Sequence, residues 1–451
     1  GKINILDWQC VTKTYPDFWQ MTEKFGIKTH IPGKVLSYWD SIKCHPIVLV
    51  GFPGAGKTTL GKKIAKYLGY NFYDTDDELE KIYQSLNISL KNDMQNFRQQ
   101  ETDIFSRLLK KCGPHSVIAT GGGIVENIRA RNILKSLPQV IFIEKDYENV
   151  KYRLGKIASL IKTTPEVIWK RRNQWYREVT SHVFTIPKYS VNNNDSKNGK
   201  DSKDSDNDTY FNKLTTRWIS YIEGINNCFI PRLQSHFVCF SSPILTDDVI
   251  TIIRDQVNSH CVQAIELRAD LLDNHSETCV KNAIVKLQMT TNKDIIFTYR
   301  TKKEGGNGDS WLSVSLAELA IKQGCRLLDI ELSSDSNFKD RKHVYTIGSC
   351  HLNDTNKVIT ALTINWAHHE PNMLKLVTNK GIYHTIQKLH IPILDSKKPS
   401  IILLDYKKSR YLNNYLTPVR LLMLQGTAPL QITLDTSYRI KKELLAGSHQ
   451  I

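Results

Sequence analysis

A glycine-rich segment between an apolar run and a helix-forming run carries the clearest chemical signal of this chain. Val48 to Leu60 reads VLVGFPGAGKTTL, which is the G-x-x-x-x-G-K-[ST] pattern of a phosphate-binding loop. Its glycines let consecutive N–H groups face phosphate oxygens, and the following helix directs its positive end at the same anion. A glycine-rich turn without a ligand is the alternative, which the complete motif disfavours. We predict that a nucleotide phosphate binds with Mg²⁺ at this loop, through Gly51, Gly54, Gly56, Lys57, Thr58 and Thr59.

Within this loop, two side chains have distinct predicted tasks. Lys57 is expected to reach the β- and γ-phosphates, and the Thr58 hydroxyl is expected to ligate Mg²⁺. Asp74 and Asp76 stand at the end of the next strand-forming run, YNFYDTD, where carboxylates could serve Mg²⁺ and a substrate hydroxyl. A solvated acidic turn or a helix N-cap is the alternative for this pair.

Two further features of the N-terminal half are open on the residues alone. Arg98 lies in the helix-forming run NFRQQE, where a lone arginine is usually a surface charge. Gly121 to Gly123 follow the apolar run SVIAT. They form either an ordinary loop or a place where a substrate approaches the backbone closely.

A second group of ionisable residues stands at the ends of apolar runs in the C-terminal half. Its members are Glu266, Arg268, Arg300, Glu331, His351 and Lys375. Apolar residues flank Lys375 in MLKLV, so we expect a partly desolvated, more often neutral amine that can form an imine. Singly, a strand-end lysine is commonly a surface residue and a histidine is more often structural. Their joint placement favours an active site.

Strands that alternate with helices must position both groups. From Pro46 the pattern is strand, phosphate loop and helix, followed by the strands YNFYD, SVIAT and QVIFIEK with helices between them. This order predicts a parallel sheet with helices on both faces. A second series follows with HFVCF, QAIELRAD, DIIFTYR, RLLDIEL, HVYTIGS, MLKLVT and SIILLD. It predicts a (β/α) barrel of the TIM type, whose active-site groups stand at the carboxyl ends of the strands, so the fold class is α/β.

The composition is that of a globular protein with a basic balance. The chain has 451 residues, 40% hydrophobic and 24% charged, which is enough for two or three domains. It contains no apolar run of about 18 residues and no N-terminal signal pattern, which favours the cytosol without a membrane span. The nine cysteines have no metal spacing and are expected to be reduced. The charge of +16 fits nucleic acid or small anions and does not decide between them.

Changes in composition divide the chain into three segments. Residues 1–40 are too short for a core of their own and are expected to be an end piece. Residues 45–226 hold the first series of strands, and residues 236–440 hold the second. Residues 190–209 are rich in Asn, Asp, Ser and Lys, so we expect a disordered insertion in the first unit.

The ordered motifs GFPGAGKTT, DTD, FRQQE, TGGG and KRRNQWY together resemble shikimate kinase over residues 46–226. The resemblance implies that Asp74 acts near Mg²⁺ and the attacking hydroxyl. It also implies a binding site for shikimate, held through its hydroxyls and carboxylate by Asp76, Arg98, Gly122, Gly123 and Arg172.

One feature of that family is altered in this chain. Family members carry an Arg-Pro pair in a lid, where the arginine stabilises charge on the transferred phosphoryl group. The corresponding positions here are Ala158 and Ser159. Arg153 or Lys156 is the alternative source of this charge, but neither is in register with the missing arginine. ATP binding is therefore predicted more firmly than phosphoryl transfer.

The second half resembles type I 3-dehydroquinate dehydratase over residues 236–440. The matching segments are AIELRADLL, FTYRTKKEGG, DIELS, IGSCH, MLKLV, SR within KKSRYL, and TAPLQIT. The resemblance implies that Lys375 forms a Schiff base with the substrate ketone, without a cofactor. His351 is expected to remove the neighbouring proton and to protonate the departing hydroxyl, since imidazole titrates near neutral pH, while Glu331 orients and charge-balances His351. The implied substrate clamp and pocket lining are Arg300, Arg410, Glu266, Arg268 and Gln431.

The order of these two resemblances is that of the pentafunctional arom polypeptide. KTYPDFW resembles the tail of the enolpyruvylshikimate-phosphate (EPSP) synthase domain that precedes the kinase there. Our leading hypothesis is a bifunctional segment of aromatic amino-acid and chorismate biosynthesis, with shikimate and 3-dehydroquinate as its small-molecule partners. Homodimer formation is left open.

Two other hypotheses remain. A quinate-repressor-like metabolite sensor that regulates transcription through a partner is favoured by the altered lid and by Leu430, which replaces a family glycine. The retained Lys375, His351 and Glu331 disfavour it. Nucleic-acid binding has only the charge behind it and no recognition motif, so we do not expect it.

Overall fold

The computed structural model describes much of the chain between residues 42 and 419. The described residues are 42, 44–86, 94–160, 163–188, 200–227, 229–232, 235–257, 262–334, 338, 344–388, 400–404 and 417–419. The predicted end piece at residues 1–40 lies outside them, as do the predicted site residues Arg410 and Gln431.

The N-terminal half is built on a five-stranded parallel sheet with the spatial order β2-β3-β1-β4-β5. Its strands are β1 (Ile47–Val50), β2 (Asn71–Asp74), β3 (Ser116–Ala119), β4 (Val140–Glu144) and β5 (His182–Thr185). β1 and β4 are buried along their whole length, as expected for strands that helices cover on both faces. Since the strand order reverses at β1, a crevice opens beyond its carboxyl end, where α/β sheets bind ligands.

Helices cover this sheet and include the one that follows the phosphate loop. They are α1 (Lys57–Leu68), α2 (Thr75–Leu86), α3 (Met94–Lys111), α4 (Ile128–Ser136), α5 (Tyr147–Leu160), α6 (Pro165–Val179) and α7 (Lys200–Asn226). α1 buries Leu60 and Ile64 against the sheet. α6 starts with Thr164, whose side chain accepts the Val167 N–H, and with Pro165 in its first turn, both favourable at a helix start.

Helix α7 begins inside the segment predicted to be disordered. Residues 190–199 lie outside the described residues, but from Lys200 onward the chain is helical. Trp218 anchors the helix, because its Nε1 donates to Leu60 O at 3.0 Å and its ring meets Phe184 edge-on. Extending an anchored helix costs much less than nucleating one. The predicted disordered insertion, residues 190–209, therefore overlaps the start of α7 and stays a prediction.

The C-terminal half is built on an eight-stranded parallel sheet with the order β12-β11-β10-β9-β8-β7-β6-β13. Its strands are β6 (His236–Cys239), β7 (Val262–Arg268), β8 (Asp294–Thr298), β9 (Leu327–Glu331), β10 (Tyr345–Cys350), β11 (Met373–Thr378), β12 (Ser400–Leu404) and β13 (Thr417–Val419). Neighbours follow one another along the chain from β6 to β12, as in a (β/α) barrel, and the sheet curls. The predicted α/β class, a P-loop type parallel sheet followed by a barrel-type sheet, is confirmed.

Helices connect the strands of this second sheet. They are α8 (Asp247–Val257), α9 (Glu277–Thr290), α10 (Ser313–Lys322), α11 (Thr355–Thr360), α12 (Trp366–His369) and α13 (Lys380–Lys388). Short 3₁₀ turns at Ala269–Leu271 and Lys302–Glu304 stand beyond the carboxyl ends of β7 and β8 and carry site residues. Among the described residues, no helix combines the length and apolar character that a bilayer crossing requires.

Each sheet has its own apolar core. One core surrounds Leu49 and Phe142 in the first sheet, and another lies around Phe297 and Ile284, between the second sheet and its helices. Two separate cores indicate two units of structure, each large enough to hold a site at its strand ends.

Candidate active sites

The phosphate loop encloses the lysine that was predicted to meet phosphate. Gly56 has a φ of 104°, which glycine adopts without strain and which turns the chain into α1. Lys57 is buried, and its Nζ donates to the carbonyl oxygens of Gly51 at 2.9 Å and of Phe52 at 3.1 Å. Burial lowers the pKa of Lys57 to about 8, although neighbouring carboxylates oppose the shift. α1 begins without a side-chain cap, which leaves its first N–H groups for an anion.

Two oxygen groups that suit Mg²⁺ are in contact beside this loop. The Thr58 hydroxyl donates to Asp74 Oδ2 at 2.7 Å, and the Asp76 N–H donates to Asp74 Oδ1 at 3.0 Å. Hydroxyl and carboxylate oxygens are the hard ligands that Mg²⁺ takes, usually with several waters. The pair therefore fits the predicted Mg²⁺ site. Within the described ranges, no group of three or more His, Cys, Asp or Glu side chains forms another metal site.

A compact charged cluster lies at the carboxyl ends of β2 and β3. Burial and the neighbouring Glu101 raise the pKa of Asp76 to about 6. Arg98 Nη1 donates to Glu101 Oε2 at 2.8 Å. At Gly123 an added Cβ would lie 1.9 Å from Arg98 Nη1, and at Gly121 it would lie 2.1 Å from Glu101 Oε1. The triple glycine thus brings the backbone against Arg98, a predicted acceptor-site residue, and against Glu101, which lies within FRQQE but was not among the predicted site residues.

Arg172 is buried at the base of this cluster. Its Nε donates to Glu126 Oε1 at 2.7 Å, and its Nη1 donates to Gly122 O at 2.9 Å. The Tyr176 hydroxyl donates to the same carbonyl at 2.7 Å. Gly122 lies against Pro53 of the phosphate loop, where an added Cβ would be 2.4 Å from Pro53 Cδ. Arg172 therefore ties the triple glycine and the phosphate loop to α6, through Glu126 that the sequence did not indicate.

The arginine that reaches the phosphate loop is Arg153 of α5. A Cβ added at Gly54 would lie 2.7 Å from Arg153 Cδ and 2.9 Å from Arg153 Nε, so this side chain lies over the loop. Ala158, which aligns with the lid arginine of the family, is buried in the core, and the Ser159 hydroxyl donates to Gly155 O at 2.8 Å. The helix thus carries Arg153 to the loop although its sequence position is out of register.

Alternate residues of the second sheet face inward and form layers. Near the amino ends the layer is apolar and contains Ala264, Ile296, Leu327, Ile347 and Met373. Two residues further along each strand the layer is polar and consists of Glu266, Thr298, Asp329, Ser349 and Lys375. Strand side chains alternate with a period of two, so these residues meet inside the curled sheet. The structure brings together the predicted Glu266 and Lys375 and adds Asp329, which the sequence analysis did not name.

Lys375 is held between two carboxylates. Its Nζ donates to Glu266 Oε1 and to Asp329 Oδ2, each at 2.9 Å. Burial lowers the pKa of a lysine, but Asp329 and Glu266 outweigh it and raise the pKa of Lys375. This corrects the expectation of a neutral amine. The apolar neighbours Leu374 and Leu376 are buried on the other face of the strand, in the cluster that includes residues of the helices.

Glu304 is the carboxylate that contacts His351. The His351 N–H donates to Glu304 Oε2 at 3.0 Å, and the imidazole Nδ1 lies 3.4 Å from the same oxygen. Burial raises the pKa of Glu304 to about 7, with Glu331 adding to the shift and Arg300 opposing it. Burial, together with the cations Arg300 and Lys375, lowers the pKa of His351 well below its usual value. The available signal for Glu304 was its place in FTYRTKKEGG, four residues after Arg300.

The predicted partnership between Glu331 and His351 is corrected by these contacts. Glu331 Oε1 accepts the Thr301 N–H at 2.7 Å, and Oε2 accepts the Thr301 hydroxyl at 2.7 Å. Glu331 ends β9 and therefore lies one inward position beyond Asp329, level with the turn that follows β8. It fastens that turn, whereas Glu304 in the turn reaches His351.

Arg300 is the centre of this charged cluster. Its Nη2 donates to Asp329 Oδ1 at 2.8 Å, and its Nη1 donates to the Ser349 hydroxyl at 2.7 Å. Its Nη1 also lies 3.4 Å from Glu304 Oε2 and 3.6 Å from Glu331 Oε1. Burial opposes its charge, but these carboxylates outweigh burial and raise the pKa of Arg300. The predicted substrate clamp is thus already bound to protein groups and fixes Asp329 and Glu304.

Arg268 lies at the same end of the sheet, at the end of β7. Its Nε and Nη2 donate to the two carboxylate oxygens of Asp270, each at 2.8 Å. This bidentate pair holds the guanidinium group in one orientation. Arg410 and Gln431, the other predicted pocket residues, lie outside the described residues, so their roles stay predictions.

Two family models match this chain, one in each half. The model of shikimate kinase matches residues 53–196, and the model of type I 3-dehydroquinase matches residues 239–381. A pentafunctional AROM polypeptide from Saccharomyces cerevisiae is 30% identical over 473 residues, which cover 96% of this chain and 28% of that protein. The chain therefore spans little more than a quarter of the length of this relative, and it has the two matched units in succession.

Solved structures similar to each half include a kinase and a dehydratase. Shikimate kinase from Acinetobacter baumannii in complex with shikimate is 28% identical, covers 34% of this chain and 89% of its own, and has a TM-score of 0.28. 3-Dehydroquinate dehydratase from Geobacillus kaustophilus is 14% identical, covers 48% of this chain and 92% of its own, and has a TM-score of 0.39.

Proposed function

We propose that this chain, in which a shikimate kinase domain precedes a type I 3-dehydroquinase domain as in the pentafunctional AROM polypeptides, catalyses two steps of the shikimate pathway. The first unit, residues 45–226, transfers a phosphoryl group from ATP to shikimate. The second, residues 236–440, dehydrates 3-dehydroquinate to 3-dehydroshikimate. The observation that carries the proposal is Lys375 between Glu266 and Asp329 in the polar layer inside the curled sheet.

The first chemical steps of the dehydratase follow from these contacts. Lys375 has to lose a proton before it adds to the ketone carbon, and the imidazole of His351, which its lowered pKa keeps neutral, is the proposed acceptor. The imidazolium returns the proton to the hydroxyl of the adduct, which leaves as water, so that His351 is neutral again and the imine carries the positive charge. Glu266 and Asp329, which now stabilise the ammonium group, are placed to stabilise that cation.

Elimination then needs a base and an acid on the same side chain. The imine acidifies the neighbouring C–H, and neutral His351 takes this proton. The imidazolium next donates it to the substrate hydroxyl, which leaves as water while the C=C bond forms. Glu304, 3.4 Å from His351 Nδ1, stabilises the imidazolium when its own carboxyl is ionised.

In the kinase, Lys57 and the loop N–H groups are proposed to bind the ATP phosphates. Thr58 and Asp74 would hold Mg²⁺, which supplies positive charge to the phosphates when it is bound. Asp76 would accept a hydrogen bond from shikimate, and Arg98 and Arg172 would attract its carboxylate. Arg153 takes the place of the lid arginine in this proposal, because its side chain lies over Gly54.

Borohydride reduction tests the dehydratase directly. Incubation with 3-dehydroquinate and borohydride should attach one substrate-derived group to Lys375, found by mass spectrometry of peptides. The unreduced enzyme should form 3-dehydroshikimate, followed by its ultraviolet absorbance. Absence of both the adduct and the product would overturn the dehydratase assignment.

A coupled assay of ADP release tests the kinase. Release should require ATP, Mg²⁺ and shikimate together, and it should fall to background in Lys57→Met. ATP binding without shikimate-dependent ADP release would favour the alternative of a metabolite sensor, which the comparisons do not support. The cytosolic location stays a prediction from the sequence, as do the homodimer and the absence of nucleic-acid partners.

A further inference from the structure

The two halves of the chain meet in a buried polar contact that neither active site uses. We name it the interdomain seam. It consists of Glu144, Thr185 and Arg217 from the kinase half and Lys281, Gln288 and Gln323 from the barrel half. Glu144, Thr185, Arg217 and Gln323 are buried, and Lys281 and Gln288 are half-buried.

On the kinase side, the seam holds the last residues of β4 and β5. Glu144 Oε2 accepts the Lys281 ammonium at 3.1 Å and the Thr185 hydroxyl at 2.6 Å, while Oε1 accepts from Arg177. The Thr185 hydroxyl also lies 3.1 Å from Gln323 Oε1. Burial favours a protonated Glu144, but Lys281 and Arg177 outweigh it and lower the pKa of this carboxyl.

Arg217 of α7 closes the seam on its other side. Its Nη1 donates to Thr185 O at 2.5 Å, and its Nε and Nη2 donate to Gln288 Oε1 at 3.1 Å and 2.9 Å. Gln288 Nε2 donates in turn to Gln323 O at 2.8 Å. The guanidinium group also lies 4.2 Å from the centre of the Phe184 ring. The barrel helices α9 and α10 are thereby fixed to the carboxyl end of β5.

A cavity of about 250 Å³ opens on the kinase side of the seam, next to the phosphate loop. Its lining includes Gly56 and Thr59 of the loop, and Lys145 and Ile186, which directly follow Glu144 and Thr185. The Ile186 N–H donates to Glu144 O at 2.8 Å. A nucleotide with its phosphates on the loop would place its base and sugar in this cavity. Glu144 and Thr185, which the barrel holds, are therefore each followed directly along the chain by a residue of the cavity wall.

We propose that Lys281 and Gln323 of the dehydratase barrel position the nucleotide-pocket wall of the kinase through Glu144 and Thr185. This inference rests on the proposed kinase function. Lys281 is a positioning residue here, since it lies outside the phosphate loop and acts through a carboxylate. The barrel thus contributes to the kinase site, because the affinity for nucleotide depends on the Lys281 side chain of the barrel. By reciprocity, a bound nucleotide strengthens the seam.

Titration of the full chain with MgADP in a calorimeter tests the proposal. Lys281→Met should raise the Kd of MgADP and the KM for ATP about fivefold, the lower end of typical couplings between sites. The kinase kcat, the KM for shikimate and the dehydratase rate should stay unchanged. Lys281→Arg keeps the charge and should restore most of the affinity. Lys286→Met on the same helix removes a lysine that binds Leu245 O and Asp247 within the barrel, and it should change nothing in the kinase.

A double-mutant cycle shows whether Lys281 acts through Glu144. Glu144→Gln should weaken MgADP binding, and the double variant should bind no more weakly than Glu144→Gln alone. Wild-type affinity in Lys281→Met, or fully additive losses, would overturn the inference while leaving the kinase assignment intact. Failure of the wild-type chain to bind MgADP would overturn the kinase assignment and the inference together. Thermal unfolding and dehydratase activity identify any variant that has lost its fold.

Discussion

The two candidate sites depend on different parts of the chain, main-chain groups in one and charged side chains in the other. In the N-terminal half, main-chain groups form the site: Lys57 binds carbonyl oxygens, and the triple glycine lets the backbone touch Arg98 and Glu101. In the C-terminal half, the site is an ion cluster in which Lys375 and Arg300 are paired with carboxylates from other strands. A change in the first site should act locally, whereas a change in the second should disturb its partners and the stability of the barrel.

Removal of Lys375 is expected to have the largest effect. Lys375→Ala should lower the dehydratase kcat about 10⁴-fold or more and abolish the borohydride adduct, because the nucleophile is lost. It also leaves Glu266 and Asp329 buried without their cation, which we expect to cost about 3–5 kcal/mol in the free energy of unfolding. Kinase kcat should stay unchanged. Lys357→Ala, at an exposed position of α11, is the matched control for both assays.

The next effect separates Glu304 from Glu331. Glu304→Gln should lower the dehydratase kcat about 10²-fold, because the imidazolium of His351 loses its neighbouring anion. Glu331→Gln should have a smaller effect, since Glu331 fastens Thr301 and does not contact the imidazole of His351. Equal losses of kcat in the two variants, or a larger loss in Glu331→Gln, would support Glu331 as the partner of His351, as the sequence predicted.

Glu304 and His351 together predict how the dehydratase kcat depends on pH. Glu304 has a pKa of about 7, so it is mostly protonated at pH 6 and mostly ionised at pH 8. His351 has a pKa well below its usual value and stays neutral throughout this window. The wild-type kcat should therefore rise between pH 6 and pH 8, and Glu304→Gln should flatten this rise. A rise that persists in the variant would assign the titration to another group.

The contrast between the sites also explains what the sequence could predict. The phosphate loop is local, since one run of residues supplies its glycines, its lysine and its hydroxyl. His351 could likewise be placed at a strand end from the alternation of strands and helices, and Lys375 could be placed on a strand, although it lies in the middle of β11 and not at its end. Both kinds of prediction depend on neighbours along the chain, which the sequence shows directly.

Contacts between distant strands were harder to predict. Glu304 and Glu331 are both acidic and both follow strands, and only the turn after β8 decides which of them reaches His351. The charge state of Lys375 was misjudged for the same reason, because the flanking leucines face away and the carboxylates come from β7 and β9. Arg153 does not align with the lid arginine of the family, and only the path of α5 shows that its side chain lies against Gly54.

Arg153 offers a test within the kinase half. Arg153→Ala should lower the kinase kcat about 10²-fold, the lower end of the loss for removal of one donor that stabilises transition-state charge. Arg153→Lys should recover part of the loss, and Lys156→Ala, one turn away with its amine over Tyr152, should be close to wild type. The dehydratase rate serves as the internal control. An unchanged kinase kcat in Arg153→Ala would mean that Arg153 does not replace the missing lid arginine.

The smallest effect is expected from a substitution in the triple glycine of the kinase site, where the main chain packs against side chains. Gly123→Ala puts a methyl group where Arg98 Nη1 would lie 1.9 Å away, so the guanidinium group must move. Because Arg98 is a flexible side chain, we expect displacement and not unfolding, with a KM for shikimate raised about tenfold and a KM for ATP near wild type. Gly113→Ala, where no atom lies within 4 Å, is the matched glycine control. If Gly123→Ala instead raised the KM for ATP and left that for shikimate alone, the triple glycine would belong to the nucleotide site.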